Sequence, residues 1–127
     1  MKITRFEDIK GWEKARSLTA YVYSLTKKAA FSKDFELKNQ IRAAAGSSMH
    51  NVAEGFDADT NPEFVRFLRY AKRSCSEVQS QLYLAKDEAY IENNEFEHAY
   101  DLASETRAIL HGFITYLQKN QQPTLNS

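Results

Sequence analysis

The chain contains few of the residues that interrupt helices or staple small folds. It has two prolines, Pro62 and Pro123, and four glycines in 127 residues. So few breakers leave long uninterrupted segments, which suits helices. The single cysteine, Cys75, cannot form an internal disulfide and fits a reducing, cytoplasmic setting. No apolar run approaches the ~20 residues of a transmembrane helix. The opening Met1-Lys2-Ile3-Thr4-Arg5-Phe6-Glu7 has no apolar stretch of signal-peptide length. A cytoplasmic protein without membrane contact is therefore expected. Net charge is also missing, with 17 basic and 17 acidic residues, which argues against a dedicated nucleic-acid binder. No glycine-rich phosphate loop, Gly-x-Ser-x-Gly elbow or Cys-x-x-Cys pair occurs.

Four apolar seams are present. Ala15, Leu18, Val22, Leu25 and Ala29 recur at spacings of three and four, predicting a first helix from near Asp8 to Ala29, its face widened by Trp12 and Tyr21. A break at 31–34 offers Ser32 or Asp34 as a cap for a second helix over 34–56. Its inner stripe, Leu37, Ile41, Ala44, Ser48 and Val52, is poor in bulk and predicts a close crossing. Gly46 in mid-helix costs ~1 kcal/mol relative to Ala, which a close crossing would offset. Thr60-Asn61-Pro62-Glu63 reads as a capping box opening the third helix. Phe64, Leu68, Ala71, Cys75, Val78, Leu82, Ala85 and Ala89 follow with a 3.5-residue period. A fourth helix, capped by Asn93 or Asn94, carries Phe96, Ala99, Ala103, Thr106, Leu110, Phe113 and Leu117. Short connections force antiparallel neighbours, so the expected fold is an all-α, up-down-up-down antiparallel four-helix bundle. Residues 1–120 form its single domain, with 121–127 a frayed C-terminal tail.

Sites for chemistry are sparse. A di-iron bundle wants two Glu-x-x-His motifs, and only Glu95-x-x-His98 is found. His50 and Glu54 are read as an ordinary helix contact, and Cys75 as a small core hydrophobe. No catalytic residue, metal, cofactor or small-molecule substrate is expected, and the chain reads as a non-enzyme.

Several segments resemble the four-helix-bundle proteins of the 23S ribosomal RNA intervening-sequence family. The resemblance runs through Phe6, Asp8, Trp12 and Ala15. It continues through Gln40, Ile41, Arg42, Ala44, Ser48, Asn51, Ala53, Glu54, Gly55 and Phe56, then Phe67-Leu68, Ala71, Ser74, Glu77, Gln81-Leu82 and Ala85. Ala43 and Arg73 depart from the family pattern, which has Arg and Gly there. The family is similar to the accessory proteins of diversity-generating retroelements, homopentamers that bind reverse transcriptase and RNA. The resemblance implies a homo-oligomer, with a pentamer favoured, and supplies no catalytic residues. Within the shared motif, Asn51, Glu54, Gly55, Ser74, Glu77 and Gln81 read either as a partner site or as a bonded polar network fixing helix register.

Two functions stay open. The first is a nucleic-acid-associated accessory protein, its partners RNA or a nucleic-acid enzyme. Arg66, Arg69 and Arg73 lie within about 60° around the third helix, with Lys72 beside them. No acid occurs in 64–76. The second is a scaffold that assembles with itself. Residues 1–86 hold 15 basic and 10 acidic residues, whereas 87–127 hold 2 and 7. Glu97, Asp101 and Glu105 form an acidic stripe that could meet the basic one head-to-tail and close a ring. Leu102, Ile109 and Tyr116 repeat every seven residues beside the core seam, as an interface or a wider core.

Overall fold

The computed structural model describes residues 3–120. A 3-10 turn, Phe6–Asp8, leads into α1 (Lys10–Thr26), the short α2 (Ala29–Lys33), α3 (Phe35–Phe56), α4 (Asn61–Asp87) and α5 (Asn93–Asn120). The four long helices pack antiparallel, α1 on α3, α3 on α4, α4 on α5 and α5 back on α1. The expected bundle is thus formed, and the tail 121–127 lies outside the described residues.

The seams face inward much as their spacing predicts. Leu18, Val22, Ile41, Val52, Leu68, Val78, Leu82 and Leu110 are fully enclosed. The departures have physical causes. The first helix stops at Thr26, and Ala29 is exposed at the start of α2. Restarting the helix there turns Phe31 inward instead, where it is fully buried and stacks on Tyr90 with ring centroids 5.3 Å apart. Burying a phenylalanine contributes about 1.5–3 kcal/mol, far more than an alanine methyl.

Ala89 also leaves its expected seam. It lies beyond α4 with φ 61°, in the left-handed region. Its N–H donates to Lys86 O at 2.9 Å and the Tyr90 N–H to Ala85 O at 2.9 Å, the two bonds of a Schellman stop. The stop lets Tyr90 reach Asp34, its hydroxyl donating to Oδ2 at 2.9 Å. Asp34, rather than Ser32, caps α3, its Oδ1 accepting from Leu37 N. Thr60 caps α4 as expected, accepting from Glu63 N, but the Glu63 carboxylate turns to Arg66. At the start of α5, Asn93 is already helical, and Glu95 satisfies the free amide of Glu92 at 2.8 Å. Late in α5 the seam drifts by one residue: Ile114 is buried and Phe113 half-buried. A straight helix of 3.6 residues per turn slips in this way against a 3.5-residue repeat.

Candidate functional site

The motif residues do not form one network. The Asn51 side chain donates to Ser47 O within its own helix. Glu54 and Glu77 are exposed. Gln81 reaches Glu77 only at 3.5 Å, and its Oε1 is buried without a partner. Ser74 is buried. Gly55 has a steric role: a Cβ there would lie 2.7 Å from Phe64 Cδ1 and 3.0 Å from Phe67 Cβ. Other side chains carry the polar ties between helices. Thr19 Oγ1 lies 2.8 Å from Ala45 O, Arg42 Nε donates to Thr26 Oγ1 at 2.8 Å, and Gln79 donates to Ser104 Oγ at 2.8 Å. All three ties join helix neighbours and set their register; their residue types are common on helix surfaces, so spacing alone does not single them out.

The basic stripe on α4 divides in two. Arg66 is paired with Glu63 at 2.7 Å and donates to the Tyr70 hydroxyl at 3.2 Å. The Glu63 carboxylate holds its guanidinium above the ordinary arginine pKa. Arg69, Lys72 and Arg73 instead line a hollow of about 210 Å³ together with Ser76 and Arg107 of α5. Lys72 Nζ lies 3.1 Å from His111 Nδ1, also on α5. Arg107 is the member of this cluster that sequence spacing misses. It is an isolated cation on an acidic helix, and only the α4–α5 packing brings it to the stripe.

On α5, Glu97 and Asp101 are exposed, while Glu105 pairs with Lys14 of α1 at 3.0 Å. Leu102 packs partly against the core. Ile109 and Phe113 line an apolar groove of about 640 Å³ with Ile3, Ile9 and Gly11, rimmed by Glu7, Asp8, Lys10 and Glu13. A second groove of about 540 Å³ shares Ile3 and Phe113 with the first and is lined by Phe56, Phe64, Tyr116 and Leu117. Tyr116 is 57% exposed.

The other titratable side chains stand apart. His98 packs edge-on against Tyr21, centroids 4.5 Å apart, and Glu95 is held by Lys28 at 2.7 Å. The Glu92 amide, then the Lys28 ammonium, keep Glu95 below the usual carboxylate range. Cys75 is fully buried, and that burial pushes its thiol up to about 12 despite the nearby Arg107. Among the described residues no three of His, Cys, Asp and Glu gather as a metal site, and no helix is long and apolar enough to cross a membrane.

The fold and these surfaces define an all-α protein of the antiparallel four-helix-bundle class. The chain belongs to the 23S rRNA-intervening sequence protein family, which it matches over residues 7–112. Its fold is similar to that of a protein with unknown function from the S23 ribosomal protein family of Bacteroides thetaiotaomicron. The TM-score is 0.74 at 20% sequence identity, covering 82% of this chain and 97% of that one. No curated protein matches the chain.

Proposed function

We propose that this protein is a non-enzymatic scaffold that assembles with copies of itself into a closed ring, five-fold by preference. The observation that carries the proposal is the pair of joined apolar grooves at one end of the bundle, where Ile109, Phe113 and Tyr116 stand beside Ile3 and Phe64. A single bundle already has its core, so an open apolar groove of this extent is a surface for a partner. A second copy of the chain is the partner of choice, because the accessory-protein pentamers that this family resembles are built from four-helix subunits. A heterologous contact, groove to a different face, closes into a ring when its rotation allows.

Sedimentation tests this reading. The wild-type chain should run as a closed oligomer at tens of micromolar. Tyr116→Glu combined with Ile109→Lys should run as a folded monomer. A wild-type monomer at that concentration, or a double variant that still assembles, overturns it.

A further inference from the structure

We propose that the cleft between α4 and α5 holds two consecutive phosphates of a nucleic-acid strand. Arg69, Lys72, Arg73 and Ser76 follow one face of α4 over about 10 Å, at 1.5 Å per residue. Across from them, α5 contributes Arg107 and His111. The cleft has two hollows. One, of about 210 Å³, lies against Arg69, Arg73 and Ser76; the other, of about 290 Å³, lies against Ser104, Ala108 and His111. Lys72 and Arg107 line both, so one pair of cations stands between two adjacent anion-sized spaces.

The cleft is electrostatically incomplete. No acid lines either hollow, and among the described residues none of Arg69, Lys72, Arg73 and Arg107 makes an ion pair. Arg107 Nε is buried without an acceptor. A group of like charges disfavours the empty state, and phosphate oxygens relieve it. His111 Nδ1 faces the Lys72 ammonium and so acts as the acceptor, fixing the lysine at the boundary between the hollows.

The shape selects the ligand. A neighbour's acidic helix, about 10–12 Å across with its side chains, would lie outside the cleft and reach in with single carboxylates, whereas a phosphodiester strand is narrow and carries its anions at consecutive positions. A single phosphate cannot span both hollows. Tyr70 carries the guanidiniums of Arg66 and Arg73 at 5.7 and 5.5 Å from its ring centre, and no Phe, Tyr or Trp lines either hollow, so the cleft offers no platform for base stacking. Binding is then led by phosphates, indifferent to sequence and strongly salt-dependent.

The test is fluorescence anisotropy of a short labelled single-stranded RNA of mixed sequence, titrated with the full chain across a salt series. Two phosphates predict a log–log salt slope of about −1.4, at about −0.7 each. Arg107→Met, which keeps the stem and removes the charge, should weaken binding about tenfold and flatten the slope by about 0.7. Arg69→Gln with Arg73→Gln, on the exposed rim, should do the same should Arg107→Met fail to fold. Arg66→Gln, outside the cleft, should bind as wild type. The proposal fails on any of four results: no wild-type binding at low salt; loss of binding in Arg66→Gln but not in the cleft variants; inorganic phosphate that binds the cleft as tightly as the RNA does; or cleft variants that dissociate the oligomer. The third result would assign the site to isolated phosphate, and the fourth to a neighbouring copy.

Discussion

Single residues show where local preference and the surrounding fold disagree. Gly46 sits in mid-α3, and an added Cβ would meet only the His50 ring of its own helix at 3.6 Å. The close crossing expected to justify this glycine is therefore absent at that position. Gly46→Ala should stabilise the protein by ~0.5–1 kcal/mol, seen as a higher denaturant midpoint. Ala89 is the converse, an alanine held at φ 61° where glycine carries no Cβ penalty. Ala89→Gly should also be neutral to stabilising, by up to ~1 kcal/mol, the relief of strain exceeding the added freedom of the unfolded chain. A lower midpoint in either variant would contradict the backbone environment described. Cys75 gives a prediction in pH. Its native thiol is held up to about 12, above the ordinary cysteine value, because burial disfavours the thiolate. The native state therefore keeps a proton that the unfolded state releases. The associated stability is intact below the unfolded pKa, near 9, and is lost as pH rises from there towards 12. Stability should fall more steeply over this window in wild type than in Cys75→Ala, by at most about 1.4 kcal/mol per pH unit. Equal slopes in urea melts at several alkaline pH values would show that the thiol is not so buried.

At the level of elements, α3 packs closely where it is poorest in bulk. Ala44, Ala45 and Ser48 are buried, and Ser48 lies against Cys75 of α4. Gly55 continues the close approach at the far end of the helix, with Phe64 and Phe67 over its Cα. Ala44→Leu or Ser48→Leu should destabilise the fold by ~1–3 kcal/mol through overpacking, and Gly55→Ala should act in the same direction because an aromatic ring must move. An unchanged thermal midpoint in these variants would mean that the helices can separate at no cost. The contrast with Gly46, two residues before Ser48 and so on the other side of the helix, where only His50 of its own helix is near, shows what sequence spacing conveys. The small-residue run marks the crossing correctly as a region, but which members touch the neighbour depends on the angle at which α4 arrives. The long seams are legible because each is a periodic signal spread over several turns. The element ends are less so. Nothing local distinguishes Ala29 from Phe31 as the inward residue; the choice is made by Tyr90, some sixty residues away, stacking on one and not the other. The Schellman stop at Ala89 is hidden for a related reason, since an alanine gives no turn signal. The α4–α5 cleft is half-legible. Its α4 side is a visible cationic stripe, whereas Arg107 and His111 join it only through helix packing.

For the whole molecule, the question is which force would hold copies together. Two opposed charged stripes and an uncovered apolar groove are both available, and the chain's own contacts weigh them differently. Arg66 is already committed to Glu63, and Glu105 to Lys14, so each stripe has lost a member to a contact within the chain. These pairs and the remaining stripe charges are exposed, and exposed ion pairs contribute little, about 0–1 kcal/mol each. The groove, by contrast, presents Ile3, Phe64, Ile109, Phe113 and Tyr116 along a continuous surface, and burial of apolar area contributes roughly 25 cal/mol per Å² before the costs of association. Screening separates the two. Raising salt from about 0.1 M to about 1 M shortens the Debye length from about 10 Å to about 3 Å. An assembly held by charged stripes should fall apart over that range, whereas one held by the groove should keep its sedimentation coefficient or grow more resistant to dilution. We expect the second outcome. Retention of the oligomer at high salt, alongside loss of RNA binding over the same range, would assign the groove to self-assembly and the α4–α5 cleft to phosphate within one molecule. Dissociation at high salt would instead place the subunit contact in the charged stripes, and the groove would need another occupant.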